Sequence, residues 1–442
     1  MPASPARTAA FDMLLRIEQE DAYASELLHS PRYAKLSSAD HALATEVVMG
    51  VLRWRSWLDH QIAQHSSQPL AKLDLEVLTA LRLAAYQITF LERVPKRAAL
   101  FDSVELVKRA RKHSAAPFVN AVLRKINGEA QPRVSMARTC NLAELAEASA
   151  HPHWLVERWA KEFGLDETKQ ICSYDQHLPQ SAIHLRDRSS EDELIQDGIE
   201  LAPGALVSSA RRVLSGVISR TRAVREGRVF IQDEASQLVA LLVGKGSSIL
   251  DCCAAPGGKT RMLAEQNPEA KILAVELHSH RARLLRKLVS AKNVTVENAD
   301  VVTLAPAEPF ECVLVDAPCS GTGTLARHPE IKWRLRLGDL ADLQARQIVI
   351  LQAAMTHVAP GGRLVYSTCS LEREENEDVV EKTLAAHPSF RLLDCREELE
   401  RLDSEGKLAW QDVASLTRGA YLRTVPGMHP CDGFFAAILL RT

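Results

Sequence analysis

Two hydrophobic rhythms divide the 442-residue chain. From residue 5 to about 126, apolar positions recur at three- and four-residue intervals. Ala9, Met13, Leu14 and Ile17 share one helical face, and Leu78, Leu81, Leu83, Ala84 and Ile88 group in the same way. This pattern predicts an all-helical domain over residues 1–130. Residues 127–140 (NGEAQPRVSMARTC) have no periodicity and contain Gly and Pro, so they read as a linker. Between 141 and 225 an amphipathic helix at 154–163 mixes with strand-like runs such as 181–185, which predicts a small α+β module. Beyond Arg228 the apolar runs SSILDCC, KILAVE, VTVEN, ECVLVD and GRLVYST alternate with helical segments. Such alternation predicts βαβ units and a parallel sheet, giving an α/β domain at 226–442.

An open parallel sheet binds ligands beyond the carboxyl ends of its strands. The polar residues of 226–442 collect at those ends: Cys253 to Thr260 after the first strand, Glu276 at the tip of the second, and Asp300 after the third. The fourth ends in Asp316-Ala-Pro-Cys-Ser320 and the fifth in Ser367-Thr-Cys-Ser370. The stretch Gly257-Gly258-Lys259-Thr260 superficially matches a phosphate-binding P-loop, but the first glycine of that motif is replaced by Cys253. Small residues between a strand and a helix still let a ligand approach backbone N–H groups, and the helix start favours a carboxylate. Glu276 is placed to accept hydrogen bonds from both hydroxyls of a ribose. Together these features describe a nucleoside-like cofactor.

Cys319 and Cys369 end neighbouring strands, whereas Cys172, Cys312 and Cys395 read as buried hydrophobes. A free thiol titrates near 8.5, so a nucleophilic one needs surroundings that hold it partly as thiolate. Asp316 would not do that, and reads instead as a group that binds or protonates substrate. A nucleophilic Cys, an acid and a nucleoside cofactor on one rim suit chemistry at an unactivated carbon such as C5 of a pyrimidine.

Composition narrows the partners. With 46% hydrophobic and 25% charged residues the chain is globular, and its net charge of −2 excludes a uniformly basic coat. A polyanion site must then be a local patch. The candidate is 93–125, where nine Lys or Arg face only Asp102 and Glu105, with Arg109, Arg111 and Lys112 at its centre. Such a run is either a solvated helix face or a phosphate contact whose affinity falls steeply with salt. Nine cysteines without a CxxC pair argue against a zinc ribbon or disulfide framework, and for the reducing cytoplasm. No metal is expected. Residues 1–20 lack a secretory pattern and no apolar run approaches the ~18 residues of a membrane span, so no membrane is expected either.

The strings DCCAAPGGKT (251–260), VDAPCSGTGTL (315–325), RHPEIKW (327–333), YSTCS (366–370) and DGFF (432–435) resemble the Sun-type RNA cytosine-5 methyltransferases. VPKRAALFDSVELVKRA and FVNAVLRKI are similar to a NusB-like RNA-binding domain. The resemblance implies a Rossmann-like class I S-adenosylmethionine-dependent methyltransferase domain preceded by an all-α NusB-like domain and the small α+β module, itself a linker or an RNA contact. It implies that Cys253, Ala254, Ala255, Pro256, Gly257, Gly258 and Lys259 hold the methionine part of the cofactor. Glu276, where the family commonly has Asp, would hold the ribose, and Asp300 the adenine. Cys369 would add to C6 of cytosine, Cys319 would assist release, and Asp316, beside the cofactor, would hydrogen-bond the ring and stabilise developing charge. The implied substrate is a cytosine of 16S rRNA, naked or at early assembly. A tRNA cytosine-5 methyltransferase and a non-catalytic RNA-binding antitermination factor remain as alternatives.

Overall fold

The computed structural model describes the chain except residues 1, 21, 29, 127–140, 186 and 187, so the expected linker and Cys140 lie outside the described residues. Two compact units emerge. One comprises 1–178 together with 325–334, the other 179–324 together with 335–442.

The first unit is helical. Ser4 caps the helix Pro5–Gln19 by accepting from the N–H of Arg7, with proline in the first turn. The helix Leu75–Phe90 is buried on most sides, through Val77, Ala80, Leu81, Leu83, Ala84 and Ala85. Asp102, one of the two acids of the basic stretch, is buried and pairs with Arg7 at 2.9 Å. It is therefore structural.

The segment 325–334, which carries the RHPEIKW string, belongs to this unit. Lys332 is 1% exposed, and its Nζ donates to the carbonyl of Arg53 at 3.0 Å. Arg53 in turn donates to the carbonyls of Ala326 (2.9 Å) and Asp175 (3.2 Å). The Trp333 indole donates to the Leu52 carbonyl at 2.5 Å, and Glu330 accepts from the N–H of Ala24 at 2.9 Å. Burial dominates the titration here, pushing Lys332 down and Asp175 up from their ordinary values.

Residues 141–225, expected as one module, divide at Leu178. The helix His153–Phe163 buries Leu155, Val156, Trp159 and Phe163 within the first unit. The strands β1 (Ser181–Leu185), β2 (Glu200–Pro203), β3 (Ala210–Ser215) and β4 (Val229–Ile231) form an antiparallel sheet ordered β2-β3-β1-β4 in the second. With helices Arg188–Gln196 and Arg222–Arg225 this is a split βαβ arrangement. Ile183, Leu194, Ile199, Ala223 and Val229 close its core on the helical face. Its other face packs on the helix Gly258–Gln266: His184 meets Glu265 at 2.8 Å, and the Arg261 guanidinium lies 4.3 Å from the Phe230 ring centre.

The main sheet contains β5 (Ser248–Asp251), β6 (Lys271–Val275), β7 (Val294–Glu297), β8 (Phe310–Asp316) and β9 (Val358–Thr368). It continues with β10 (Phe390–Leu393), β11 (Thr417–Arg418), β12 (Tyr421–Thr424) and β13 (Phe434–Arg441). The order is β11-β12-β13-β9-β8-β5-β6-β7, with β10 also on β13. From β9 to β7 the strands are parallel, and the order reverses between β5 and β8, which makes the carboxyl ends of those two strands the binding crevice. Val313, Leu314 and Val315 are each 0% exposed, as a strand covered on both faces requires.

Candidate active site

The loop after β5 turns sharply at Gly257, whose φ is +115°. A Cβ there would lie 2.6 Å from Val289 and 2.7 Å from Leu285, so only glycine fits. The loop borders a cavity of about 320 Å³ whose wall includes Cys253 to Lys259, Asp316, and Phe230 and Gln232 from the small sheet. Glu276 and Asp300 are not on that wall. Glu276 is 3% exposed; its Oε1 accepts from the N–H of His278 at 2.9 Å, and Oε2 lies 3.8 Å from Arg281. Asp300 is half-buried and accepts from the N–H of Val302 at 2.9 Å.

Asp251, not singled out in the sequence, ends β5 on the same cavity wall and accepts from the Thr260 hydroxyl at 2.7 Å. Burial pushes its carboxyl up from 3.8 to about 7. Between those values the folded state holds a proton that the unfolded state has lost. Stability therefore falls as pH rises through the window, by up to about 1.4 kcal/mol per pH unit. Asp251→Asn is expected to flatten that slope in urea titrations; an unchanged slope would contradict the assignment.

Asp316 joins three strand ends. Its Oδ2 accepts from Lys259 Nζ at 2.8 Å and its Oδ1 from the Ser367 hydroxyl at 2.8 Å. The Lys259 ammonium also sits 5.1 Å from the Phe434 ring centre. Because β8 and β9 pair in parallel with Asp316 opposite Ser367, the residues that follow come side by side. The sulfurs of Cys319 and Cys369 are 3.3 Å apart, both half-buried. The hydrogen bond to Cys369 and burial push the Cys319 thiol well up, so it stays protonated. Gly323 knits this corner to β13: its N–H donates to the Cys369 carbonyl at 2.9 Å, and its carbonyl accepts from Gly433 at 2.8 Å. A Cβ on Gly323 would stand 2.1 Å from the Gly433 oxygen. Cys172, Cys312 and Cys395 are buried, with thiols pushed up to about 12, 11 and 12 by desolvation.

The basic candidates lie elsewhere, in the helical unit. Arg109 pairs with Asp12 at 3.2 Å and Lys112 with Asp74 at 3.0 Å, while Arg111 is exposed. Sequence reasoning passed over a second basic run, 277–292, which holds three arginines and two lysines with no acid. Its helix Ser279–Leu288 buries Ala282 and Leu285 and exposes Arg283 and Lys287, which have no acidic partner among the described residues. Among the described residues no group of three metal-ligating side chains gathers, and no helix is long and apolar enough to cross a membrane.

Comparison with known proteins matches residues 238–440 to 16S rRNA methyltransferase RsmB/F and residues 4–128 to the NusB family. The chain is 33% identical to the probable ribosomal RNA small subunit methyltransferase B of Bacillus subtilis, covering 98% of both chains. The chain belongs to the RsmB/F methyltransferase family. It is an S-adenosylmethionine-dependent RNA methyltransferase with a NusB-family helical domain at its start. The ribosomal RNA small subunit methyltransferase B of Klebsiella pneumoniae is 30% identical over 93% of this chain and 92% of its own. The crystal structure of PH0851 shares the fold over 99% of both chains, with a TM-score of 0.80 at 24% identity. A methyltransferase homolog from Pyrococcus horikoshii covers 69% of this methyltransferase, with a TM-score of 0.55 at 21% identity.

Proposed function

We propose that this methyltransferase modifies C5 of a cytosine in 16S rRNA through a covalent bond between Cys369 and C6 of the base. The observation that carries this reading is the 3.3 Å approach of two sulfurs beside Asp316, at the ends of adjacent strands. A single thiol would serve for attack alone. A second, protonated thiol in contact with it suits a reaction in which the same C–S bond must later break.

The loop Cys253–Lys259 with its obligatory Gly257 suits the methionine part of S-adenosylmethionine, and Glu276 and Asp300 are assigned to ribose and adenine. When bound, the cofactor supplies an electrophilic methyl group. The Cys369 thiolate attacks C6 and its electron pair makes C5 nucleophilic; after methylation, the C5 proton goes to solvent, its electrons re-form the C5–C6 double bond, and the C6–S pair leaves on the Cys369 sulfur. Cys319 hydrogen-bonds the departing sulfur. Asp316 retains lone pairs beyond those facing Lys259 and Ser367, and one of them accepts from N3–H as that nitrogen takes up a proton from solvent during the addition. The base must leave its stack to reach the thiols, so naked or early-assembly RNA is the expected form of substrate.

In this reading residues 1–130 hold RNA, the small antiparallel sheet, whose last strand β4 extends it to residue 231, walls the cofactor cavity through Phe230, and the main sheet carries the transfer. The cytoplasm is the assigned compartment, supported by eight unpaired cysteines among the described residues. Mapping 5-methylcytosine after incubation with 16S rRNA, assembled small subunits and tRNA tests the substrate. Free 16S rRNA is expected to be modified; preferential modification of tRNA would contradict the reading.

Salt dependence separates the two basic surfaces. For single-stranded RNA, replacing one phosphate-binding side chain by Ala should lower the slope of log affinity against log salt by roughly 0.7. Ala at Arg109, Arg111 and Lys112 together is expected to lower it; an unchanged slope would make that face a solvated one. Arg283→Ala with Lys287→Ala measures the second helix in the same assay.

A further inference from the structure

Glu375 sits in a short turn just after β9 and is 0% exposed. A carboxylate so placed is costly unless its lone pairs are filled. Here they are. Oε1 accepts from the Ser320 N–H at 2.8 Å and from Gln347 Nε2 at 2.9 Å. Oε2 accepts from the Ser370 hydroxyl at 2.5 Å and, closer still, from the Ser320 hydroxyl. A carboxylate offers roughly four acceptor positions, so none is left for a substrate.

The donors identify what the carboxylate does. Ser320 follows Cys319 and Ser370 follows Cys369, so one buried group grips the residue after each reacting thiol. The residues before them are held by its neighbours: Gln347 also donates to the Pro318 carbonyl at 2.9 Å. Asn376 accepts from the Thr368 hydroxyl at 2.5 Å and donates to the Ser370 carbonyl at 2.9 Å. Cys369 is thus bracketed by bonds to Glu375 and Asn376, and Cys319 by bonds to Glu375 and to Gln347 of the helix Asp339–Thr356. The β8–β9 register brings the two loops side by side, but it does not by itself fix the sulfurs beyond the strand ends.

We propose that Glu375 is a positioning residue for the methyl-transfer reaction, whose carboxylate ties the two cysteine loops together and sets the separation of their sulfurs. The proposal rests on the assignment of Cys369 and Cys319 as the reacting thiols. A displacement of about 1 Å in such a site costs on the order of 100-fold in rate. Glu375→Ala is therefore expected to lower kcat by about 100-fold with the cofactor KM unchanged, because Glu375 touches nothing in the cofactor cavity. Glu375→Gln keeps one acceptor and lets the serine hydroxyls turn to accept from its amide, so it should recover part of the loss.

Thiol separation can be read without turnover. Diamide takes two protons and two electrons as the sulfurs join, leaving a disulfide and the reduced hydrazine, and mass mapping follows the Cys319–Cys369 link. The wild type should close it readily and Glu375→Ala about tenfold more slowly, since closure tolerates little displacement. The negative charge of Glu375 raises the Cys319 pKa, so removing it would by itself speed closure; slowing therefore reports distance. A folded Glu375→Ala, or a folded Glu375→Gln should Ala not fold, that closes at the wild-type rate overturns the proposal. Slower closure supports it even if RNA mapping overturns the assigned reaction.

Discussion

Cys369→Ala is expected to abolish both methyl transfer and the covalent link to RNA, while Cys319→Ala still forms the link and fails to release it. The asymmetry comes from the surroundings of Cys319. The two sulfurs are equivalent in distance, 3.3 Å from each other, but not in surroundings. The Cys319 thiol is pushed well up by its hydrogen bond to Cys369, by burial and by the charge of Glu375. It keeps its proton, and so can donate a hydrogen bond but is not the attacking thiolate. Loss of a nucleophile typically costs on the order of 10⁴-fold or more, so residual activity of Cys369→Ala should be undetectable in a methyl-incorporation assay. Denaturing gels with labelled RNA should show a retarded protein–RNA band for Cys319→Ala and none for Cys369→Ala. The opposite pattern would reverse the two roles.

The second large effect is on stability. Lys332→Ala is expected to destabilise the helical unit by about 3–5 kcal/mol, the usual result of removing one partner from a buried ionic cluster. Lys332 donates to the Arg53 carbonyl, and Asp175, 1% exposed, has Lys332 and Arg53 as its charged neighbours. Truncation leaves a cavity and a buried acid that has lost one of its two cationic neighbours. Lys332→Met fills the cavity but not the charge, and should cost less. Urea unfolding followed by circular dichroism measures both; a loss under about 1 kcal/mol for Lys332→Ala would show that the cluster contributes little.

These two cases mark how far the sequence could be read. Cys319 and Cys369 were legible because strand ends in a parallel sheet share one rim, so two local patterns fixed a long-range contact. Lys332 was not. RHPEIKW follows the Pro-Cys loop closely and carries part of the family resemblance, yet its partners at Arg53 and Leu52 are some 280 positions away. No local pattern records such a pairing.

Burial decided the rest. Asp251 and Glu375 are acids among other acids in the sequence, and only the folded sheet shows them sealed in. The strand β13 (FFAAILLR) is buried on both faces and so lacks the alternation that marks a half-exposed strand. The charge count of 93–125 was correct, but Asp12 and Asp74, which neutralise Arg109 and Lys112, come from other helices. Glu276 sits at a strand tip as its position suggested, with one oxygen bonded to the N–H of His278 and the other 3.8 Å from Arg281.

The most direct measurement uses 16S rRNA carrying 5-fluorocytosine. Fluorine at C5 cannot leave as a proton does, so the base stays bonded to the attacking sulfur after methylation. Digestion and mass mapping of the trapped complex should place the methylated base on the peptide that contains Cys369. A base carried by the Cys319 peptide, or no trapped complex in the presence of S-adenosylmethionine, would contradict the proposed attack.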